Sequence, residues 1–254
     1  MSSLVFPFHD PNKIETKFLK RALPILKDNF DKAFIGVSPK TVASNPEALS
    51  FLQQDSFFIV NLSTNNSTIG DHFVSVYTNT VKHSKPDQIL HLCTLDRLVF
   101  ALLTEHKDSF LKDTSREDTP TLYLRSPKAW ATHPKNYYAA ESMVTEVGRI
   151  LFGKVLDFTW CHLTLTSQQL KQVLPSLTAH DLVIISQLVL SLKDKLVTKE
   201  VDWLSWEDPF IFNKDPRQFK TERENDPKEL EKRMNYVLPE INYLFETHRS
   251  LNSK

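Results

Sequence analysis

Glycine is scarce in this chain: four occur in 254 residues, at positions 36, 70, 148 and 153, against an average usage of about 7%. Phosphate cradles of the Walker or dinucleotide type place several glycines in one loop, because only glycine lets the backbone approach a phosphate so closely. No such cluster exists here, which argues against P-loop and Rossmann-dehydrogenase readings. Cysteine is scarcer still. Cys93 and Cys161 each sit in an apolar run, where a small buried thiol is the ordinary reading, and no Cys or His spacing of the zinc type accompanies them. Net charge is missing as well: 31 basic and 31 acidic residues balance to zero. No overall field draws the chain toward an anionic surface, so a nucleic-acid partner is not expected. The opening MSSLVFPFHDPNK has neither the basic lead nor the apolar stretch of about 7 to 15 residues that marks a signal peptide. No run approaches the roughly 18 apolar residues of a membrane span. A cytoplasmic location is the expectation.

What the chain does have is a 41% hydrophobic content, enough for a substantial core at this length. Short runs rich in Val, Ile, Phe, Tyr and Thr read as strands: SLVFPF (3–8), KAFIGVS (32–38), FFIVNLS (57–63), QILHLCTLD (88–96), TLYLRS (121–126) and LDFTWCHLTL (156–165). Helical periodicity separates them, over 15–30, 44–54, 71–83 and 136–152. Val99, Leu102, Leu103, His106 and Phe110 fall on one face of a further helix after residue 96. Asn45-Pro46 reads as an N-cap followed by proline in the first turn. Strands alternating with helices predict an α/β fold, a largely parallel sheet with helices on both faces in the Rossmann-like manner, followed by a mostly helical C-terminal part. Residues 1–212 read as a single α/β domain. Beyond it, 213–254 hold a stretch dense in both charges, read as a solvated linker or exposed helix, and a last helix packing on the domain. Pro239 should kink or break that helix.

Ligands of open α/β sheets bind beyond the carboxyl ends of the strands. The ends here are FHDPN (8–12), SPKT (38–41), STNNST (63–68), TLDR (94–97) and RSPKAW (125–130). They place Asp10, Ser38, Lys40, Asp96 and Arg97 where a nucleotide would lie, and Arg125 and Lys128 where a diphosphate could be neutralised or an ion pair formed. Asp96 interrupts an apolar segment. One reading is a helix cap; the other is a carboxylate that holds a ribose hydroxyl or a divalent cation beside substrate phosphates. Asp71-His72 begins a helix facing the same crevice, with capping the simpler role for Asp71. His133 reads as a loop histidine. Late in the chain, VDWLSWEDPF (201–210) groups Trp203, Trp206, Glu207 and Asp208. Aromatic rings of this kind suit packing on sugar rings, or they fill a core while the acids cap a turn.

The first strand, the βαβ series without a glycine loop, Asp96 after the fourth strand and the late pair Glu207-Asp208 together resemble GT-A-type nucleotide-sugar glycosyltransferases. That family carries an Asp-x-Asp motif after a central strand; here the stretch is Thr94-Leu95-Asp96, with the last acid only. The resemblance implies sugar transfer from a nucleotide-sugar donor to a hydroxyl acceptor, and a divalent metal, Mg or Mn, at Asp96. It also implies a catalytic base at Asp208, with Glu207 second. Two alternatives stand beside it: a non-catalytic nucleotide- or sugar-binding scaffold with an enzyme-like fold, and a phosphoryl-transfer enzyme using Asp10.

Overall fold

The computed structural model describes residues 1–64, 67–114, 120–159 and 162–253. The chain begins with β1 (Ser3–Phe8), α1 (Glu15–Asn29), β2 (Ala33–Val37), α2 (Pro39–Ser44), α3 (Pro46–Gln54), β3 (Phe58–Leu62), α4 (Ile69–His83) and β4 (Ile89–Leu92). It continues through α5 (Leu95–Leu103), α6 (Lys107–Thr114), β5 (Thr121–Arg125), α7 (Pro127–Thr132), α8 (Lys135–Phe152) and β6 (His162–Thr166). Then come α9 (Ser167–Val173), α10 (Val183–Leu192), β7 (Val197–Val201), α11 (Asp208–Ile211), α12 (Pro216–Asn225) and α13 (Pro227–Asn252).

The strands form one sheet in the order β3-β2-β1-β4-β6-β5-β7. Every neighbouring pair is parallel except those involving β6, which runs antiparallel to both β4 and β5. Alternation along the strands feeds two apolar layers. Leu4, Phe6 and Phe8 of β1 enter one, with α1, α3, α5 and α6. Val5 enters the other, with α4, α8, α10 and α13. The fold is the expected α/β arrangement with a mostly helical C-terminal part. Among the described residues, no helix is long and apolar enough to cross a membrane.

Local chemistry explains where the helices start. Ser38, Asn45 and Ser126 each accept a hydrogen bond from the backbone N–H three residues on and are each followed by proline. Proline at this point wastes no donor and has its φ preset for the helix. The same Ser-Pro device thus closes β2 and β5 and turns the chain outward at the sheet's carboxyl edge.

Several expectations are corrected. The stripe from Val99 to Phe110 is split into α5 and α6 by a turn at Thr104, whose hydroxyl donates back to the Phe100 carbonyl (2.7 Å). The last strand-like run narrows to β6, and Cys161 lies outside the described residues, as do Asn65 and Asn66; Cys93 is buried. The helix α13 continues through Pro239. The charged stretch at 213–233 forms α12 and the first turns of α13, and its Phe219 and Glu229 are buried. The strand β7 was not anticipated: VTKEV lies at the sheet edge, mostly open to solvent, so it carries no apolar run.

Two histidines lie in the core. His91 and His162, both 0% exposed, face each other across β4 and β6 (Nε2 to Nδ1, 3.3 Å) among Tyr123, Phe110 and Trp203. The Thr94 amide points at His162 Nε2 (3.5 Å), making that nitrogen the acceptor and leaving the proton on Nδ1 to be donated to His91. Burial holds His91 down to about 3 and His162 well below the usual imidazole range. A depressed folded-state pKa means that the unfolded chain takes up the proton first. The contribution is therefore intact above the unfolded value and is lost as pH falls toward the folded one. Replacing His91 with leucine should flatten the pH dependence of unfolding free energy between about pH 6.5 and 4 by about 1.4 kcal/mol per pH unit. Urea titrations of both proteins across that range measure it, and carboxyls whose shifts run the other way cancel in the comparison.

Candidate active site

The carboxyl ends of β1, β2 and β4 and the start of α4 enclose a cavity of about 430 Å3. Its walls include His9, Glu15, Ser38, Lys40, His72 and Asp96. His9 Nδ1 meets Ser38 Oγ at 2.8 Å, and His72 Nδ1 meets Ser63 Oγ at 2.5 Å. Burial, aided by His9, lowers His72 to about 4, so its ring is neutral. A side chain at Gly36 would press on Val76 and the His72 ring, so the bare backbone of β2 lets α4 settle close enough to bring His72 to the cavity. Gly70, in the first turn of α4, lets the segment at Ala179 and His180 pack against the helix, since a Cβ there would collide with the Ala179 carbonyl. Glu15 stands opposite. Burial pushes its carboxyl well up, and Asp96 and Asp10 add to the push.

Asp96 sits in the first turn of α5, behind Thr94. One carboxylate oxygen accepts the Arg97 amide at 2.8 Å. It is the wall between two chambers, for it also lines a second cavity of about 220 Å3 with Arg97, His133, Glu207 and Asp208. Arg97 is buried, with Nε at 3.4 Å from Glu207 Oε1. Burial pushes Glu207 up to about 7 against the pull of Arg97, with Asp96 and Asp208 pushing further. Asp208 opens α11 and is also raised, by burial and then by Asp96, while Arg223 and Arg233 oppose the shift. A carboxylate moved toward neutrality in this way is a better proton acceptor at physiological pH than an ordinary one.

Most of the other sequence candidates lie elsewhere. Asp10 is 2% exposed and turned into its own loop, where its two oxygens accept the amides of Ile14 (2.7 Å) and Thr16 (2.8 Å). That loop hooks β1 to α1, and Asp10 does not converge with Asp96 and Asp208. Trp203 is 0% exposed, packed against Phe110 and Tyr123, with its indole N–H on Asp113 (3.0 Å); no ring face is left for a ligand. Trp206 stacks on Phe219 (5.4 Å between centroids) and still borders the smaller cavity. Asp71 closes a capping box with Thr68 and pairs with His180 (2.9 Å). Lys128 bridges to Asp202 at the surface (3.0 Å).

Arg125 is wholly buried in an ion network. It binds Glu141, Asp157 (2.8 Å) and Thr159 (3.0 Å), and its guanidinium lies 3.6 Å over the Trp130 ring. Glu141 in turn accepts Arg233 (3.0 Å). The end of β5, helix α8, the segment before β6 and helix α13 are tied together by this one cluster, and two of its members, Glu141 and Arg233, also line the smaller cavity.

Residues not singled out from the sequence complete the walls: Glu15, His9, Tyr137, Arg223, Glu229 and Arg233. Glu229 and Arg233 are four apart on one helix, a spacing legible in advance; that they face inward was not.

Among the described residues, no group of three or more His, Cys, Asp or Glu side chains is arranged to hold a metal ion. Asp96, the acid that borders both cavities, is the residue that would hold a cation bound chiefly by diphosphate oxygens, the usual manner for magnesium.

No family model matches the chain, and no curated protein does. Solved structures do. Glucosyl-3-phosphoglycerate synthase from Mycobacterium tuberculosis, in complex with Mn2+, uridine diphosphate and phosphoglyceric acid, is 11% identical, with a TM-score of 0.47 over 78% of this chain and 67% of that one. The same enzyme with Mn2+ and UDP-glucose is 14% identical, with a TM-score of 0.43 over 78% and 68%. The 4-diphosphocytidyl-2C-methyl-D-erythritol synthase from Anaerococcus prevotii is 11% identical, with a TM-score of 0.45 over 87% and 95%.

Proposed function

We propose that the protein transfers a sugar from a nucleotide-diphosphate donor to a hydroxyl acceptor. The observation that carries this reading is the position of Asp96 as shared wall of the two chambers. The larger chamber, over β1, β2 and β4, would take the nucleotide, with Ser38 and Lys40 along it. The diphosphate would then reach Asp96, the sugar would project past it, and the acceptor hydroxyl would meet Asp208 in the smaller chamber. A divalent cation bound by Asp96 and the diphosphate would neutralise the leaving group. A sugar hydroxyl is a weak nucleophile until its proton has an acceptor in place, and Asp208 supplies that acceptor.

Isothermal titration with UDP- and GDP-sugars in the presence of Mg2+ or Mn2+ tests the donor half. Binding is expected to require the cation, and Asp96→Asn should weaken it by about tenfold or more. Absence of heat with every donor would reject the reading. Binding without any slow donor hydrolysis or transfer would favour a binding scaffold instead.

A further inference from the structure

The smaller cavity has more cationic side chains than its charge suggests. Arg97 is paired with Glu207, Arg223 with Glu229, and Arg233 with Glu141. Lys232 stands exposed at the rim, and the carboxylates left over are Asp96 and Asp208. An anion entering here would find the three guanidinium groups already engaged by acidic partners and two further acidic side chains, Asp96 and Asp208, facing it, an unfavourable meeting in a half-buried site.

The hydrogen-bonding capacity left open is of both kinds. Among the described residues, His133 Nε2, Glu207 Oε2, Arg223 Nε and Arg233 Nε are buried with no partner. His133 is 3% exposed, and its Nδ1 lies 3.0 Å from the Ala129 carbonyl, so Nδ1 carries the proton and Nε2 presents a lone pair. The cavity therefore offers acceptors at His133 and Glu207 and N–H donors at Arg223 and Arg233. A carboxylate or phosphate could answer only the donors. A hydroxyl answers both, since it donates and accepts. At about 220 Å3, the space is below the roughly 300 Å3 where pockets for drug-sized ligands begin.

We propose that this cavity is the acceptor site for a small uncharged polyol. The proposal rests on the transferase reading and narrows its acceptor. In the step itself, a polyol oxygen forms a bond to the anomeric carbon of the donor sugar. The bond from that carbon to the diphosphate oxygen breaks, with its electron pair leaving on the diphosphate, and the hydroxyl proton passes to the Asp208 carboxylate. His133 and Glu207 orient the remaining hydroxyls.

The test uses the full chain with whichever nucleotide-sugar it binds. Transfer is compared between glycerol, erythritol and sorbitol on one side and glycerate and glycerol 3-phosphate on the other. The uncharged set should exceed the anionic set by about tenfold or more in kcat/KM. A preference of that size for the anionic set, with donor binding and hydrolysis intact, overturns the acceptor assignment and leaves the transferase reading standing. Failure to bind any donor overturns both. Glu229→Gln, which releases Arg223 from its partner, should move the ratio toward the anionic acceptors by about tenfold. An unmoved ratio in a variant with an unchanged unfolding midpoint counts against the charge-pairing argument, and the comparison on the unaltered chain decides the matter if that variant does not fold.

Discussion

Asp208→Asn should lower the rate of sugar transfer by about 10²- to 10⁴-fold, the usual range for loss of a positioned general base, while donor affinity stays within about threefold. The asymmetry follows from position. Asp208 lines the smaller chamber and not the larger one, so an amide there removes the proton acceptor without touching the nucleotide's contacts. The change also discharges one of the carboxylates that hold each other up. Because Asp208 adds to a rise in Glu207 that comes chiefly from burial, Glu207 should titrate somewhat lower in the variant, and the alkaline shift of its acid limb should be reduced in the residual pH-rate profile. Single-turnover measurement separates the chemical step from release, and the unfolding midpoint should not fall. A variant with full transfer activity would remove Asp208 from the mechanism.

Arg125→Ala should cost about 3–5 kcal/mol of stability, the range for breaking a buried ion pair from one side. That is a large share of a total of about 5–15 kcal/mol for a folded domain. The side chain is 0% exposed and satisfies Glu141 and Asp157 together. Its removal leaves Asp157 with Thr159 alone, opens a void beside Trp130, and loosens the link between β5 and α13. Lysine should rescue only a minor part, because an ammonium cannot reach two carboxylates with the fixed fork of a guanidinium or lie flat on the indole. The midpoint of urea unfolding measures both variants. A loss under about 1 kcal/mol for alanine would mean that the network is closer to a surface ion pair in its energetics. Pairing the two variants is informative in itself: Asp208→Asn should leave folding and lose chemistry, and Arg125→Ala should lose stability first.

Local signals made most of the fold legible. Ser38-Pro39, Asn45-Pro46 and Ser126-Pro127 announce helix starts through side-chain acceptors and preset dihedrals, both of which are properties of neighbours in the chain. The rule that ligands lie beyond the strand ends brought Ser38, Lys40 and Asp96 to one cavity. What escaped depended on distant partners. The strand β7 is specified by pairing with β5 and not by its own polar residues. The reversed direction of β6 leaves no mark in its composition. Trp203 looked available for a sugar because aromatic residues beside acids fit both a binding face and a core; the packing of His91, Phe110 and Tyr123 around it could not be read from ten residues. Arg233 looked solvated because a stretch rich in both charges usually is, and its inward turn depends on Glu141, far back in the chain on α8; Arg223 finds Glu229 only six residues on, once α12 and α13 fold against each other.

The direction of β6 has a consequence for how the rim of the cleft is built. In a purely parallel sheet, every rim segment would be an exit, a loop following its strand. Here the segment leading into β6 arrives at that edge, and Asp157 and Thr159 reach Arg125 from it. The carboxyl edge of the sheet thus holds one approach ramp among several departures. Through Asp157 and Thr159 that ramp is fastened to the end of β5, so an arriving segment and a departing one share a single guanidinium.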